Sequence, residues 1–201
     1  MKVGPKYKLA KRLGPTIFEK TQSQKFALAQ ERSQRRGRGR GPSEFGKQLL
    51  EKQKVRITYG LSEKQFSAYV QSAMGTHGRV PVEVLNELLE MRLDNVIYRI
   101  GIAPTRRAAR QMVSHGHITV NGTKTTIPSR AIRIGDVIAV RAGSKSRVLF
   151  ENHEESFKER QTPSWVTWDP KKMEGSVKEL PAFDETLTAG DLHTVLSFYS
   201  R

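Results

Sequence analysis

Cysteine is absent from this chain of 201 residues. Its absence excludes disulfides, thiolate metal ligands and cysteine nucleophiles, and it leaves the redox compartment undetermined. Long apolar runs are also absent, since no stretch approaches the roughly 18 residues that a membrane-spanning helix needs. The first residues lack the apolar core of a secretory signal peptide. The sequence therefore predicts a cytoplasmic protein, or one of an organelle matrix if an organelle encodes it, with no membrane partner.

Acidic residues are scarce relative to basic ones. Asp and Glu number 20 against 35 Lys and Arg, which gives a formal net charge of +15. The excess is uneven, because residues 1–60 carry 16 basic residues against 4 acidic, residues 61–150 carry 13 against 6, and residues 151–201 carry 6 against 10. This balance favours a polyanionic partner, either a nucleic acid or an acidic membrane surface. The acidic C-terminal segment is expected to face away from that partner or to meet another protein.

Apolar side chains are sparse in residues 1–42, and none occurs between Glu31 and Glu44. A segment of this composition cannot bury enough surface to offset the entropy of ordering it, so it is predicted to be an arm that is flexible until RNA binds. The alternatives are an idle tail and an arm whose forked arginine donors enter RNA crevices. The candidate RNA-binding residues of this arm are Lys6, Lys8, Lys11, Arg12, Arg35, Arg36, Arg38 and Arg40.

Residues 43–91 have the pattern of compact helices. Ser43 is predicted to cap the first helix, and Ser62 with Gln65 forms a capping box for the second. Pro81 is expected to open the third. The aromatic residues of these helices lie on apolar stripes, so they are interpreted as core rather than as platforms for base stacking. The basic residues expected outside this core, where they would contact phosphates, are Lys47, Lys52, Lys54 and Arg56.

A basic helix followed by a tight hairpin lies at the centre of the chain. Thr105 is a predicted N-cap, and Asn121-Gly122 is the residue pair that a two-residue type I′ turn prefers. A charged face can simply be solvated, but no carboxylate lies between Asp94 and Asp136 to lace it with ion pairs, so a nucleic-acid partner is favoured. The candidate RNA-binding residues here are Arg106, Arg107, Arg110, Gln111, Ser114, His115, His117, Asn121 and Lys124.

Short elements are predicted for the rest of the chain. The apolar residues from Ile132 to Val140 indicate two short strands, and strands are also expected at 165–168 and 176–177. An exposed helix is expected at 151–159. Thr188 with Asp191 is interpreted as the start of a final helix.

No catalytic constellation is evident in the sequence. His115 and His117 could ligate a metal, but no third ligand has a suitable spacing, so RNA contact or helix termination is favoured. A Gly-rich phosphate loop of the Walker type is absent, and no nucleophile has a neighbouring base. The sequence therefore predicts a binding protein with no enzymatic activity, no metal, no cofactor and no small-molecule substrate.

Several motifs are similar to those of the bacterial-type small ribosomal subunit protein four family, called here the S-four family. The central motifs are Arg92-Leu93-Asp94-Asn95-Val96, Thr105-Arg106, Ala109-Arg110-Gln111, Val113-Ser114-His115, Val120-Asn121-Gly122 and Gly135-Asp136. The flanking motifs are Gly4-Pro5-Lys6, Glu51-Lys52-Gln53-Lys54-Val55, Tyr59-Gly60, Lys172-Met173-Glu174-Gly175 and Tyr199-Ser200. The resemblance thus spans almost the whole chain.

The resemblance implies an α+β fold in three parts. These are the basic arm (1–42), a small helical domain (43–91, completed by 183–201) and an inserted RNA-binding domain (92–182). The core module of the last part, 92–141, would pack two helices on a small antiparallel sheet. Many members of the family hold zinc with cysteines in the arm, and no such site is expected here because the chain has no cysteine.

The resemblance also implies a function. Such a protein is a structural constituent of the small ribosomal subunit and a primary rRNA-binding protein that nucleates assembly of the subunit body. It would contribute to translational accuracy near the mRNA entry channel, with small-subunit rRNA, neighbouring ribosomal proteins and mRNA as partners. The expected location is the ribosome.

Two other functions compete with this interpretation. The central module also occurs in RNA-modifying enzymes, and Arg92-Leu93-Asp94 is similar to the catalytic signature of pseudouridine synthases. Here the segment continues as a helix and no catalytic domain accompanies it, so Asp94 is interpreted as a structural carboxylate. The third hypothesis is a free regulatory protein that binds its own message or stalled subunits.

Overall fold

The computed structural model describes residues 4–35, 41, 43–150, 162–184 and 188–200. The chain divides into two compact units, of which unit 1 comprises Met1–Leu85 with Phe183–Arg201 and unit 2 comprises Asn86–Ala182. The described residues contain helices and one antiparallel sheet, so the predicted α+β class is confirmed.

The elements of the described residues are as follows. The helices are α1 (Lys6–Leu13), α2 (Gln24–Arg35), α3 (Glu44–Thr58), α4 (Glu63–Met74), α5 (Pro81–Glu90), α6 (Leu93–Ile100), α7 (Arg106–Ser114) and α8 (Leu192–Tyr199). The strands are β1 (Ile118–Val120), β2 (Thr123–Thr125), β3 (Val137–Val140), β4 (Val166–Asp169) and β5 (Glu174–Val177). Short 3₁₀ turns occupy Pro15–Ile17, Glu19–Thr21, Ala142–Ser144 and Val148–Phe150. None of these helices combines the length and the apolarity that crossing a membrane requires.

Side-chain caps start three of the helices where the sequence predicts them. Ser43 Oγ accepts a hydrogen bond from the Gly46 N–H at 3.2 Å, at the start of α3. Ser62 Oγ accepts from the Gln65 N–H at 3.3 Å, at the start of α4. Thr105 Oγ1 accepts from the Ala108 N–H at 3.0 Å, at the start of α7. Each bond satisfies a backbone donor that the first turn of a helix leaves without an intrahelical partner.

Residues 4–35 differ from the expected arm, because they form helices with buried side chains. Ala10 and Phe26 are 0% and 3% exposed. Leu13 and Ile17 pack against Ile57 of α3. The apolar residues of this segment are few, but their helical spacing gathers them on one face, which suffices for docking. The Arg/Gly-rich residues 36–40 lie outside the described residues, so the flexibility predicted there stays a prediction.

The final helix begins later than predicted. Its N-cap is Asp191, whose carboxylate accepts from the Thr194 N–H at 3.0 Å, whereas Thr188 Oγ1 donates to the Gly190 carbonyl at 3.1 Å. The expected pairing of Thr188 with Asp191 as a helix start is therefore wrong. Helix α8 packs on α3 and α4, and its Val195 is completely buried.

Unit 2 is built on a five-stranded sheet with the order β2-β1-β3-β5-β4, in which every paired strand is antiparallel. Asn121 and Gly122 join β1 to β2 with φ of 51° and 75°, which confirms the predicted type I′ turn. One strand replaces the two expected between Ile132 and Val140. Ile132 is buried, but Ile134 is 54% exposed and the chain turns at Gly135 with φ of 87°.

The core of unit 2 lies between the sheet and the pair α6 and α7. Its apolar members include Val96, Ile97, Ile100, Ala109, Met112, Val113, Ile118, Ile138 and Val140. Trp165 is buried in the same core and Trp168 packs against it, consistent with the packing role expected for both tryptophans. The helix predicted at 151–159 lies outside the described residues.

Candidate nucleic-acid interface

Two arginines of α7 lie across α6 instead of pointing away from the protein. Arg106 Nε donates to Asn95 Oδ1 at 2.8 Å, and its guanidinium carbon is 4.4 Å from the ring centroid of Tyr98. Arg110 Nε is 3.4 Å from a carboxylate oxygen of Asp94, and its side chain is 28% exposed. Both side chains are therefore engaged in the packing of α7 on α6.

Asp94 is a buried carboxylate at the start of α6. It is 4% exposed and accepts two hydrogen bonds from Arg92, from Nε at 3.1 Å and from Nη2 at 2.9 Å. Arg92 is itself only 1% exposed. The absence of acidic residues after Asp94 was expected to leave the helix without ion pairs, but Asp94 itself reaches Arg110 across the fold. A carboxylate held by two arginines has a structural role, in line with its interpretation from the sequence.

A second buried carboxylate, that of Glu90, forms hydrogen bonds with residues of α6. Glu90 is 4% exposed and accepts from Arg99 at 2.7 and 2.8 Å. It also accepts from the Asn95 amide at 2.9 Å, and the oxygen of that amide receives the bond from Arg106. The network therefore fixes the orientation of Asn95 and, through it, of the first turn of α7.

The opposite side of α7 presents an exposed polar surface. We call it the α7 face, and its members are Arg107, Gln111, Ser114, His115 and Lys124. Lys124 belongs to β2 and joins this face because its stem crosses Gly116, where an added Cβ would collide with Lys124 Cε. No ion pair involves Arg107 or Lys124 in the part of the chain that the structure describes. The face thus combines two unneutralised cations with amide, hydroxyl and imidazole groups.

His117 does not lie on this surface, although the sequence placed it there. It is 6% exposed, its Nδ1 is 3.0 Å from Ser144 Oγ, and its ring meets Phe150 edge to face. Burial first, and then the neighbouring Arg147, His115 and Arg141, lower the pKa of His117 from its ordinary value, which disfavours the protonated ring. The sequence spacing could not reveal that the chain turns inward at Gly116.

Asn121 is exposed at the hairpin tip, but its amide is used within the protein. Its Nδ2 donates to Asp136 at 2.8 Å and its Oδ1 accepts from the Val137 N–H at 2.8 Å. Asp136 also accepts from the Arg133 N–H at 2.8 Å. The hairpin tip is thereby tied to the turn that precedes β3, which gives the face a rigid edge.

The candidate cations of unit 1 have different environments. On α1, Lys8, Lys11 and Arg12 are exposed, and Lys6 Nζ lies 5.7 Å from the ring centroid of Phe18. On α3, the exposed Lys47 pairs with Glu44 at 2.6 Å, Lys54 lies 3.5 Å from Glu51, and Arg56 contacts Gln53 and Glu63 at 2.9 and 3.4 Å. The described part of the chain does not include the side chain of Arg35 or any part of Arg36, Arg38 and Arg40.

Lys52 is buried, and its predicted exposure is wrong. It is 7% exposed, its Nζ is 2.6 Å from Glu63, and the same atom lies 4.5 Å from the ring centroid of Phe198. Helix α8 covers this side of α3. The covering segment is distant in the sequence, so the local pattern of α3 could not predict the burial.

Three basic residues that the sequence analysis did not select follow β3. They are Arg141, Lys145 and Arg147, and the Arg141 N–H donates to the His117 carbonyl at 2.8 Å. This bond brings their loop beside the end of α7. The signal that could have identified Lys145 and Arg147 is the Gly-Ser-Lys-Ser-Arg run of residues 143–147, and Arg141 directly follows the strand.

The structure also shows a cavity, for which no chemistry is evident. Within unit 1, this cavity of about 840 Å³ lies between α3 and the segment that leads into α8, and both charge signs line it, through Lys47, Lys54, Glu44, Glu51 and Asp191. Over the described ranges, no group of three or more His, Asp or Glu side chains is arranged to hold a metal ion.

Comparison with known proteins gives matches over both units. The model of the S4 domain matches residues 91–138, and the model of the ribosomal protein S4/S9 N-terminal domain matches residues 2–90. The small ribosomal subunit protein uS4 of Herpetosiphon aurantiacus is 44% identical over 98% of this chain and 98% of its own length. That of Roseiflexus castenholzii is 42% identical over 99% and 98%. That of Parabacteroides distasonis is 45% identical over 89% and 88%.

Proposed function

The chain belongs to the uS4 family of small ribosomal subunit proteins, and we propose that it binds small-subunit rRNA directly, as one of the first proteins of subunit assembly. A protein of this family is a structural constituent of the small ribosomal subunit. Direct and early rRNA binding is the finer proposal. The observation that carries it is the α7 face, an exposed cationic surface on a rigid support.

The support is as important as the charge. Helix α7 is anchored on one side by buried apolar residues and by the bonds of Arg106 and Arg110 to α6. Arg107 on its other side is exposed, and so is Lys124 of the neighbouring β2. A-form RNA hides its bases in a deep, narrow groove, so a protein recognises it mainly through its shape, phosphates and 2′-hydroxyls. A rigid surface with fixed cations suits that recognition, because little is ordered when RNA binds.

We propose that early binding guides assembly through population shift. A protein that binds one RNA fold better than its competitors stabilises that fold by the difference in binding free energy. The charge balance of +7 over residues 61–150, where 13 basic residues face 6 acidic, supplies the electrostatic part of that affinity. No chemical step is required, so the protein acts as a binding protein and not as an enzyme.

Further parts of the proposal rest on family resemblance. The protein would work within ribosomes of the cytoplasm, or of an organelle matrix if an organelle encodes it. It would touch neighbouring ribosomal proteins, lie near the mRNA entry channel and contribute to translational accuracy. We further propose that the RNA-binding domain is an insertion at about residues 92–182 within the helical domain, with the Arg/Gly-rich residues 36–40 as an additional RNA contact.

Direct binding is tested with the full-length chain and deproteinised small-subunit rRNA, in the absence of other ribosomal proteins. We expect a saturable complex with a steeply salt-dependent affinity, and much weaker binding to large-subunit rRNA as the matched control. A complex that forms only after other proteins are added would refute direct early binding. Sedimentation of cell lysate provides the second check, since a protein that is sparse in small subunits would favour a free regulator.

A further inference from the structure

A group of basic side chains lies beside His117 at the C-terminal end of α7. We call it the loop cluster, and its members are His115, Lys124, Arg141 and Arg147. One backbone and one side-chain hydrogen bond fix its position, because the Arg141 N–H donates to the His117 carbonyl at 2.8 Å and Ser144 Oγ lies 3.0 Å from His117 Nδ1. The 3₁₀ turn Ala142–Ser144 therefore holds the loop against the end of α7.

Lys124, Arg141 and Arg147, the permanent cations of the cluster, have the same sign of charge. Arg141 and Arg147 are close enough to His117 for their charges to disfavour its protonation. The ring centroids of His115 and His117 are 6.0 Å apart. Lys124 reaches the cluster from β2, since its stem crosses Gly116. Like charges held this close repel each other, and a protein normally relieves the repulsion with carboxylates or with a bound anion.

No carboxylate relieves this repulsion in the described part of the chain. Neither Arg141, Arg147 nor Lys124 forms an ion pair there. Arg141 Nε is moreover buried without a hydrogen-bond partner. A buried donor that lacks a partner destabilises the folded state, so a group that accepts this bond would stabilise the arginine.

We propose that Arg141 and Arg147, with His115 and Lys124, form a second phosphate-binding site for rRNA, which continues the α7 face around the end of the helix. The inference rests on the rRNA binding proposed above and extends it to residues of the loop after β3. Guanidinium groups suit this role because their planar, forked donors match the oxygens of a phosphodiester. His115 and Lys124 are shared with the α7 face, so one RNA backbone running along α7 would meet both sites in turn.

The test measures the slope of log affinity against log salt for the full-length chain with deproteinised small-subunit rRNA. Each lost phosphate contact should make the slope shallower by about 0.7–0.9, so the variant with Arg141→Gln and Arg147→Gln should change it by about 1.4–1.8. Lys178→Gln is the matched control, because it removes one exposed charge of unit 2 outside the cluster and should leave the slope unchanged. Arg147→Gln alone should change the slope by about 0.7–0.9 without disturbing the buried Nε of Arg141.

A conservative variant separates charge from packing. Arg141→Lys with Arg147→Lys keeps both positive charges, so it should retain most of the salt slope while losing the forked geometry. If the arginines only support His117 and its loop, the Gln variants should lower the melting temperature and leave the salt slope as in the unchanged protein. That result, obtained with Arg147→Gln as well, would overturn the proposed site.

Failure of the second site and failure of rRNA binding give different results. If Arg107→Ala makes the slope shallower while the loop variants do not, rRNA binding stands and the second site is overturned. If the unchanged protein shows no salt-dependent affinity for the rRNA, both proposals fall. Polyuridylate serves as the single-stranded probe, and an effect of the loop variants on polyuridylate without one on rRNA would overturn rRNA as the ligand.

Discussion

Replacing Arg106 and Arg110 with Ala should destabilise the protein more than it changes the salt dependence of RNA binding. The hydrogen bond from the Arg106 guanidinium to Asn95 contributes about 1.5–3 kcal/mol, and the contact with Tyr98 adds about 0.5–1 kcal/mol. The partly exposed pair of Arg110 with Asp94 contributes about 0–1 kcal/mol. Because Ala is the better helix former by a few tenths of a kcal/mol per position, part of this loss is offset.

The expected net loss of folding free energy is about 2 kcal/mol or somewhat more, since such contributions are not additive. For a chain of this length, a loss of about 1 kcal/mol lowers the melting temperature by about 2–4 °C. A decrease of about 4–8 °C should therefore be seen by circular dichroism. Arg107→Ala is the matched control on the same helix, because its exposed side chain makes no ion pair in the described residues.

In RNA binding we expect the reverse order, with a larger effect per replaced arginine for Arg107→Ala than for the double variant of Arg106 and Arg110. Arg107→Ala should make the slope of log affinity against log salt shallower by about 0.7–0.9, the value for one phosphate contact. The double variant should change it by less than two such contacts, because both arginines are engaged with α6. An unchanged melting temperature together with a slope shallower by about 1.4–1.8 would refute this division of roles.

Three further predictions concern unit 2. Asp94→Asn should cost about 3–5 kcal/mol in equilibrium denaturant unfolding, because the buried Arg92 loses its charged partner. Burial raises the pKa of Asp136, but the hydrogen bonds and cations around it outweigh burial and lower the pKa from its ordinary value of 3.8. The contribution of this carboxylate to stability should therefore be present above pH 3.8 and fade as the pH falls below that value. Asp136→Asn should flatten the plot of melting temperature against pH in that range. Gly175→Ala should destabilise the sheet in thermal melting, since an added Cβ would collide with a carbonyl of the neighbouring strand, whereas Gly143→Ala, with open space around it, should not.

Local signals in the sequence determined where several elements begin and turn. Ser43, Ser62 and Thr105 cap their helices as predicted, and the Asn121-Gly122 pair makes the expected turn. Each of these features depends on atoms within about four residues of one another, so a short stretch of sequence contains all the information. The α+β class and the family could likewise be predicted, because the motifs that carry them are contiguous.

Signals of the same kind failed where burial depends on distant segments. Thr188 was a plausible helix start, yet Asp191 is the cap, and its backbone N–H donates to Glu51 of the distant helix α3 at 3.0 Å. The sparse apolar residues of 4–35 appeared too few for a core, but α3 supplies the other half of one. Apolar composition measures only what a segment brings to a contact, and it contains nothing about the surface that receives it.

The roles of individual cations were decided only by the tertiary structure. The sequence predicted that basic residues of α3 and α7 would be exposed together, but α8 buries Lys52 and α6 engages Arg106 and Arg110. The backbone bond from the Arg141 N–H to the His117 carbonyl joins segments 24 residues apart in the sequence. This bond brings Arg141 and Arg147 beside His115. A charged side chain keeps its charge wherever it lies, so sequence determines the net charge of this protein. Which of those charges reach solvent depends on the packing of distant helices, and only the folded chain contains that information.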